Sequence, residues 1–376
     1  MTHLLDNTFI KSIEMNNRAV RSATWSGTCD PKGYVTDLTL DFYGRLAQGS
    51  MGLIITGYQY ILPNGIQLPF MIGNYDDSQI PGLKKLADTI HMAGGKVVGQ
   101  IVHTGFRATP KLFPAEGEIW APSEISDPTL KFPIKVVSKT EILELIQAYA
   151  AAARRLKEAG FDGVQLHAAH GYGINQFLSP CWNKRSDNYG GNLSNRYRFL
   201  AETMEAVRAE IGDDMPPLTK LNVADFVQNG LEIEETVQIG KRLADDGIDA
   251  IEISGGSASS GKLGPLRTKI RSEEDEAYFS DMSAYFKEKV KNVPIILVGG
   301  FRSLKKINEI LDDKKADYIS MARPFIREPG LIARWKNGDL SNATCVSCNG
   351  CFETGLKGHG ISCKIDREEK QSKDSE

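Results

Sequence analysis

The 376-residue chain is short of several things that would send it elsewhere. No apolar run approaches the roughly 18 residues that span a bilayer, and the opening MTHLLDNTFIKSIEMNN lacks the charged-then-apolar pattern of a secretory leader. Neither sign of charge is in excess. The 45 Lys and Arg face 48 Asp and Glu, a net charge of -3, so neither nucleic acid nor an anionic membrane is expected as the main partner. These absences lead to the expectation of a cytoplasmic protein that handles small molecules. Cysteine is scarce, six in all, and unevenly spread: Cys29 and Cys181 stand alone, while Cys345, Cys348, Cys351 and Cys363 fall within nineteen residues. In a reducing compartment such crowding suggests metal ligation more than disulfides.

What is present is an alternation. Eight short β-rich apolar runs lie at 19–25, 52–58, 96–103, 161–168, 216–223, 248–254, 294–300 and 316–322. Amphipathic stretches such as 139–160, 192–212, 232–247 and 303–313 separate them. In 139–160, Ile142, Leu145, Tyr149, Ala152 and Leu156 recur every three or four residues and give one apolar face. Asn192 and Ser303 suit helix N-caps, and Gly160 and Gly247 suit helix stops. Buried strands alternating with helices imply a parallel sheet. Eight such units favour an α/β fold closed as a (β/α)8 TIM barrel over residues 1–338. An open doubly wound sheet is the alternative, weakened because no G-x-G-x-x-G follows the first strand. Residues 104–138, rich in Pro, Phe and Trp, form an insertion suited to a wall or lid. Residues 339–366 carry the cysteine cluster as a short C-terminal extension, and the polar tail 367–376 is expected to be disordered.

A barrel places its reacting groups at the C-terminal strand ends. There the sequence puts Thr24–Trp25, Gly57–Tyr58, Gln100, His103, His167, His170, Tyr172, Lys220, Gly255–Gly256, Gly299–Gly300 and Ala322–Arg323. Gln100 and Lys220 suit a planar heterocycle that needs a hydrogen-bonding partner and a cation. Gly299, Gly300 and Arg323, after the last two strands, suit a phosphate. The two imidazoles and the phenol of HAAHGY leave three readings open: a metal site, a general acid/base site, or ordinary packing. Zinc at that point would want further ligands, and residues 161–175 offer only Asp162.

The motifs NRAVRSATW, GLIITGY, GQIVHTGFR, HAAHGYGINQFLSPCWNKRSDNYGGNLSNRYRF, VGGF and MARP resemble, in order, those of the Old Yellow Enzyme family of FMN-dependent oxidoreductases, over roughly residues 5–340. The resemblance implies an ene-reductase in which NAD(P)H reduces FMN and the flavin N5 delivers hydride to an activated alkene. It implies that Ser22, Ala23 and Thr24 lie along the isoalloxazine, that Gly57 passes close to the ring, and that Gln100 bonds its pyrimidine edge. Lys220 takes the place where most members carry an arginine, and Gly299, Gly300, Ala322 and Arg323 would hold the phosphate. His167 and His170 would bond the carbonyl oxygen of an α,β-unsaturated substrate, and Tyr172 would protonate its α-carbon. Tyr58 and Trp25 would touch substrate. Trp25 departs from the threonine or cysteine usual there, and is expected to narrow the pocket or stack on the substrate.

The spacing C-x2-C-x2-C-x11-C can hold a [4Fe–4S] cluster or, less favoured, Zn²⁺ on Cys345, Cys348, Cys351 and Cys363. It resembles the dienoyl-CoA and enoate reductase branch, which has three residues between the second and third cysteines and a further flavin- and nicotinamide-binding module. A cluster without that module needs an external electron-donor protein or is a structural relic, and an electron-transfer subunit is one rival reading. A flavin-free enzyme using Lys220 as a Schiff-base nucleophile is another. Homo-oligomerisation is a further expectation.

Overall fold

The computed structural model describes residues 3–113, 116–127, 129–130 and 132–373. Eight parallel strands carry the fold: β1 (Ala19–Arg21), β2 (Leu53–Ile55), β3 (Val97–Val102), β4 (Gly163–Ala168), β5 (Pro217–Asn222), β6 (Ala250–Ser254), β7 (Ile295–Val298) and β8 (Tyr318–Met321). Each pairs with the next, and β8 returns to β1 through Ile319–Ala19, Ser320–Val20 and Met321–Arg21. The sheet is therefore closed, and the fold is a (β/α)8 barrel. Every expected apolar run contributes a strand, although the hydrogen-bonded parts are shorter. Residues 22–25, expected to extend β1, leave the ladder and run to the barrel mouth.

Helices fill the connections, among them α1 (Asp37–Gln48), α2 (Ile80–Met92), α3 (Lys139–Glu158), α4 (Leu193–Ile211), α5 (Ile233–Asp245), α6 (Ser280–Lys289) and α7 (Leu304–Asp312). α3 starts in a capping box, with the Ser138 hydroxyl accepting from the Glu141 N–H and the Glu141 carboxylate accepting from Ser138. Gly160, at φ +80°, ends the turn that follows α3. Asn192 caps α4, accepting from the Asn195 N–H at 3.0 Å. Ser303 sits at the N-cap of α7 but does not cap it through its side chain. Its hydroxyl instead donates to Glu276 at 3.2 Å, because that buried carboxylate also accepts the Arg302 and Ser303 N–H groups.

Side chains on one face of a strand recur every second residue, and this parity builds the barrel interior in layers. Val20, Leu53, Ile55, Val98, Leu218, Ala250, Ile296 and Tyr318 point inward near the strand starts. An N-terminal hairpin, Thr8–Ile10 with Ile13–Met15, closes that end by adding Ile10, Ile13 and Met15 to the same cluster. Two residues further along the strands the inward positions are Gln100, Gln165, Lys220, Glu252 and Ser320, all buried. The floor beneath the mouth is thus polar.

The insertion after β3 pairs Trp120–Ala121 with Lys135–Val136 and packs Phe106, Ile119, Ala121 and Trp182 together. Pro114, Ala115, Pro128 and Lys131 lie outside the described residues. The C-terminal tail corrects the expectation of disorder: Lys364–Lys373 is a helix, tied to the barrel where Arg327 pairs with Asp366 at 2.8 Å and with Glu369 at 3.2 Å. Residues 374–376 lie outside the described residues. Among the described residues no helix is long and apolar enough to cross a membrane.

Candidate active site

A cavity of about 540 Å³ opens at the C-terminal ends of the strands. Ser22, Ala23, Thr24, Trp25, Tyr58, Gln100, His167, His170, Tyr172, Lys220, Gly300, Ala322 and Arg323 all line it. Residues spread over three hundred positions of sequence therefore share one space. Gly57 and Gly299 do not line it. The Gly57 N–H donates to the Tyr43 hydroxyl at 2.7 Å, and a Cβ there would come within 2.7 Å of the Thr24 carbonyl oxygen, so this glycine lets two strand ends approach. Gly299 instead accepts the Tyr278 N–H at 3.3 Å.

The polar floor has a direction. Glu252, fully buried, accepts from the Ser22 and Ser320 hydroxyls, each at 2.7 Å, from Lys220 Nζ at 3.1 Å and from Gln165 Nε2 at 3.0 Å. Burial alone would push its pKa up. The Lys220 charge and these donors outweigh burial and hold it below the ordinary carboxylate value. Gln165 Oε1 then accepts from Gln100 Nε2 at 2.6 Å, and Gln100 Oε1 is left buried without a partner. A buried orphan acceptor costs free energy unless a donor meets it. Facing this cavity, it suits a ring N–H such as that of a flavin pyrimidine. Beside it Lys220 Nζ, held by Ser22 at 2.8 Å, supplies the cation.

The imidazole pair comes from the end of β4. His167 Nδ1 accepts from the Ala169 N–H at 3.3 Å, which leaves Nε2 as the ring's N–H donor. His170, in a left-handed conformation at φ +62°, contacts Ser254 Oγ through Nε2 at 2.7 Å, and the two rings lie 5.0 Å apart. Burial, then the Lys220 charge, holds the His167 pKa well below its ordinary value. For His170 the causes are burial, then His167, then Lys220. Both rings are neutral donors at neutral pH. The Tyr172 hydroxyl donates to Gln67 Oε1 at 2.7 Å, and its ring centre lies 4.8 Å from that of His167. Burial raises the Tyr172 pKa against the opposing pull of Tyr58, Arg107 and Gln67, so the phenol keeps its proton.

At the far end Gly300, with φ +79°, has its Cα where a Cβ would strike the Tyr278 ring at 2.8 Å. Arg302 lines this end with a buried Nε that has no partner, and Arg323 anchors one guanidinium nitrogen on the Arg267 carbonyl and on Asn349 Oδ1, at 2.8 and 2.7 Å. A small backbone with two arginines suits a phosphate. Apolar walls, an orphan acceptor, a cation and this cradle together fit FMN.

Four contributors were not read from the sequence. Gln165, Glu252 and Ser320 sit on inward strand positions that period-two parity would have marked, Glu252 between two isoleucines in AIEIS. Arg302 had no comparable signal.

The cysteine segment is a wall of the same cavity, through Ser347, Phe352 and Leu356. Trp25 seats it. The indole donates its one N–H to the Pro69 carbonyl at 2.9 Å, and its ring stacks on Phe352 with centres 6.3 Å apart. Among the described residues of the 104–138 insertion, only Arg107 lines the cavity. All four cysteines are free thiols that line one separate cavity of about 20 Å³. Yet among the described residues no three His, Cys, Asp or Glu come close enough to hold a single metal ion. The zinc expectation is therefore not met, and no iron–sulfur cluster is shown.

The family model described as NADH:flavin oxidoreductase / NADH oxidase matches residues 7–342. The chain belongs to this family. Membership places it among NAD(P)H-dependent FMN oxidoreductases. An NADPH dehydrogenase of Geobacillus sp. (strain WCH70) is 34% identical over 324 residues, covering 85% of this chain and 89% of the relative. An NADH oxidase of Thermoanaerobacter brockii is 32% identical over 359 residues, 94% of this chain but 54% of the relative. Among solved structures, a 2-naphthoyl-CoA reductase complex superposes with a TM-score of 0.89 at 30% identity, over 96% of this chain and 56% of that one. An Old Yellow Enzyme homologue from Zymomonas mobilis gives 0.79 at 26% identity, over 94% and 98%. The chain thus spans about half the length of some relatives and nearly all of others.

Proposed function

We propose that the protein is an FMN-dependent ene-reductase acting on α,β-unsaturated carbonyl compounds. The observation that carries the reading is the convergence of His167, His170 and Tyr172 on the cavity that also holds the Gln100 orphan acceptor and Lys220. When bound, FMN supplies hydride to the alkene after accepting it from NAD(P)H. Gln100 and Lys220 would hold its pyrimidine edge, and Gly300, Arg302 and Arg323 its phosphate. His167 presents a neutral Nε2–H to the substrate carbonyl oxygen, with His170 beside it. Donors already aimed at an oxygen that gains negative charge lower the barrier without reorganising. Tyr172, protonated, with the Gln67 amide oxygen and the Tyr58 hydroxyl against its own hydroxyl, yields a proton to the α-carbon.

The test is the double variant His167→Ala/His170→Ala. It should retain FMN and lose at least ~10²-fold in cyclohexenone turnover, as expected from removing aligned donors. Unchanged turnover overturns the reading. The likeness to a 2-naphthoyl-CoA reductase makes aryl and enoyl thioesters worth assaying alongside cyclohexenone. The Schiff-base alternative is disfavoured because Lys220 is paired with Glu252, whereas a nucleophilic lysine must be neutral. Borohydride trapping of a ketone on Lys220 in colourless protein would restore it.

One observation favours an added electron-transfer role. Four cysteines line one cavity, and four thiolates are the ligand number of a four-iron cluster. Arg323 lines both this cavity and the larger one, so a cluster would sit close to the FMN phosphate end. Iron and acid-labile sulfide in anaerobically purified protein test this. Their joint absence removes the cluster and leaves NAD(P)H as direct reductant.

A further inference from the structure

We infer that Glu252 is a positioning residue that both orients the acceptor offered to the flavin and offsets the cation beneath it. The inference rests on FMN occupying the cavity above Lys220. A carboxylate can only accept hydrogen bonds, so Glu252 fixes the direction of every bond that reaches it. Gln165 must turn its Nε2 toward Glu252, at 3.0 Å. Its Oε1 is thereby presented to Gln100, which must donate through Nε2, at 2.6 Å. Gln100 Oε1 is what remains for the cavity, and it is the atom without a partner. The other oxygen of Glu252 meets Lys220 Nζ at 3.1 Å in an ion pair whose side chains are 3% and 0% exposed. Both groups at the pyrimidine edge therefore trace back to one carboxylate.

The electrostatic consequence follows from charge balance. A lone buried cation favours the anionic reduced flavin over the neutral oxidised one. A carboxylate in contact with that cation cancels much of the preference, because low-dielectric surroundings screen neither charge. Glu252 therefore lowers the two-electron midpoint potential of the bound flavin and makes it a stronger hydride donor.

The experiment is anaerobic redox titration of FMN-loaded protein. Uptake of FMN by the wild-type chain is scored first, and its failure would sink the flavin placement rather than the role of Glu252. Glu252→Gln should raise the ratio of reduced-flavin to oxidised-flavin affinity at least tenfold, a positive shift of about 30 mV for a two-electron couple. Glu252→Asp, which keeps the charge, should stay within threefold of wild type. If Glu252→Gln does not fold, the double variant Lys220→Gln/Glu252→Gln decides, since it removes both charges of the buried pair together. A ratio within tenfold of wild type supports compensation. A fall of more than tenfold shows that the lysine acts uncompensated and overturns the inference. An unmoved potential in folded Glu252→Gln reduces Glu252 to a structural role and overturns it as well.

Discussion

The two ends of the barrel interior are built on opposite terms. Near the strand starts, Ile10, Ile13, Met15, Val20, Leu53, Ile55, Val98, Leu218 and Ile296 fill the space with apolar side chains, and any set of similar volume and shape would serve. Two residues further along, Gln100, Gln165, Lys220, Glu252 and Ser320 fill it with polar atoms, each satisfied by a named partner except the one acceptor aimed at the cavity. The lower layer holds the barrel together by volume. The upper layer is held in one arrangement by hydrogen-bond direction, and that arrangement is what a flavin would meet. A lesion in one layer should therefore cost stability alone, and a lesion in the other should change chemistry as well.

The largest effect should come from splitting the buried pair. Lys220→Met leaves Glu252 in the interior without its cation, and breaking such a pair typically costs about 3–5 kcal/mol. Urea denaturation of the apoprotein measures it, and a loss below about 1 kcal/mol would mean that the upper layer tolerates an unpaired charge. In the lower layer, Ile296→Ala should cost about 2–5 kcal/mol through lost burial and the cavity left behind. Its discriminating feature is what stays the same: the flavin potential and the FMN dissociation constant. A shift in either would show that the layers are mechanically coupled and would break the comparison.

Acid should separate the two ends further. His103, buried at the end of β3, has its pKa pushed down to about 3 by burial, and those of His167 and His170 also lie well below normal. An unfolded histidine binds a proton below about pH 6.5, whereas these folded ones do not. The unfolded state therefore gains protons first as pH falls. Stability is full above about 6.5 and declines below it, by about 1.4 kcal/mol per pH unit for each such histidine. Unfolding free energies at pH 7.5 and 5.5 check the slope. A flat profile would mean that these rings take up protons in the folded protein as readily as in the unfolded one, so that burial does not hold them neutral in acid.

The two layers also differ in how far they could be read from the sequence. Six of the eight strand runs and the edges of α3, α4, α5 and α7 emerged within two residues, because apolar periodicity and capping chemistry are local signals, while the runs 19–25 and 52–58 overran β1 and β2 by four and three residues. His167, His170, Tyr172, Lys220 and Gln100 were marked by strand-end position and by motif. Glu252 was hidden inside an apolar run, and its meaning depends on partners 32 to 230 residues away. The role of Trp25 was also out of reach. Its stacking on Phe352 depends on where the cysteine segment folds back, and no local pattern encodes that return. The N-terminal hairpin escaped for a related reason, since two three-residue strands are too short for alternation to stand out.

The smallest expected effect is the most specific. Gln100→Leu deletes the orphan acceptor and keeps the side chain's approximate volume, so the upper layer loses its direct bond to a ring N–H but not its ion pair. A neutral hydrogen bond contributes about 0.5–1.5 kcal/mol, so FMN should bind about threefold to tenfold more weakly. The opposing term is the orphan itself. In the apoprotein the unsatisfied Oε1 is a cost that leucine removes, although Gln165 Oε1 then loses its donor. The two changes are similar in size, so apoprotein stability should move by less than about 1 kcal/mol. Weaker FMN binding at unchanged stability is the signature of a group arranged for a ligand rather than for the fold. Calorimetric titration of FMN into apoprotein, set beside urea denaturation, measures both. If stability falls while FMN affinity holds, Gln100 belongs with the packing side chains of the lower layer, and the boundary between the two layers lies closer to the mouth than Gln100.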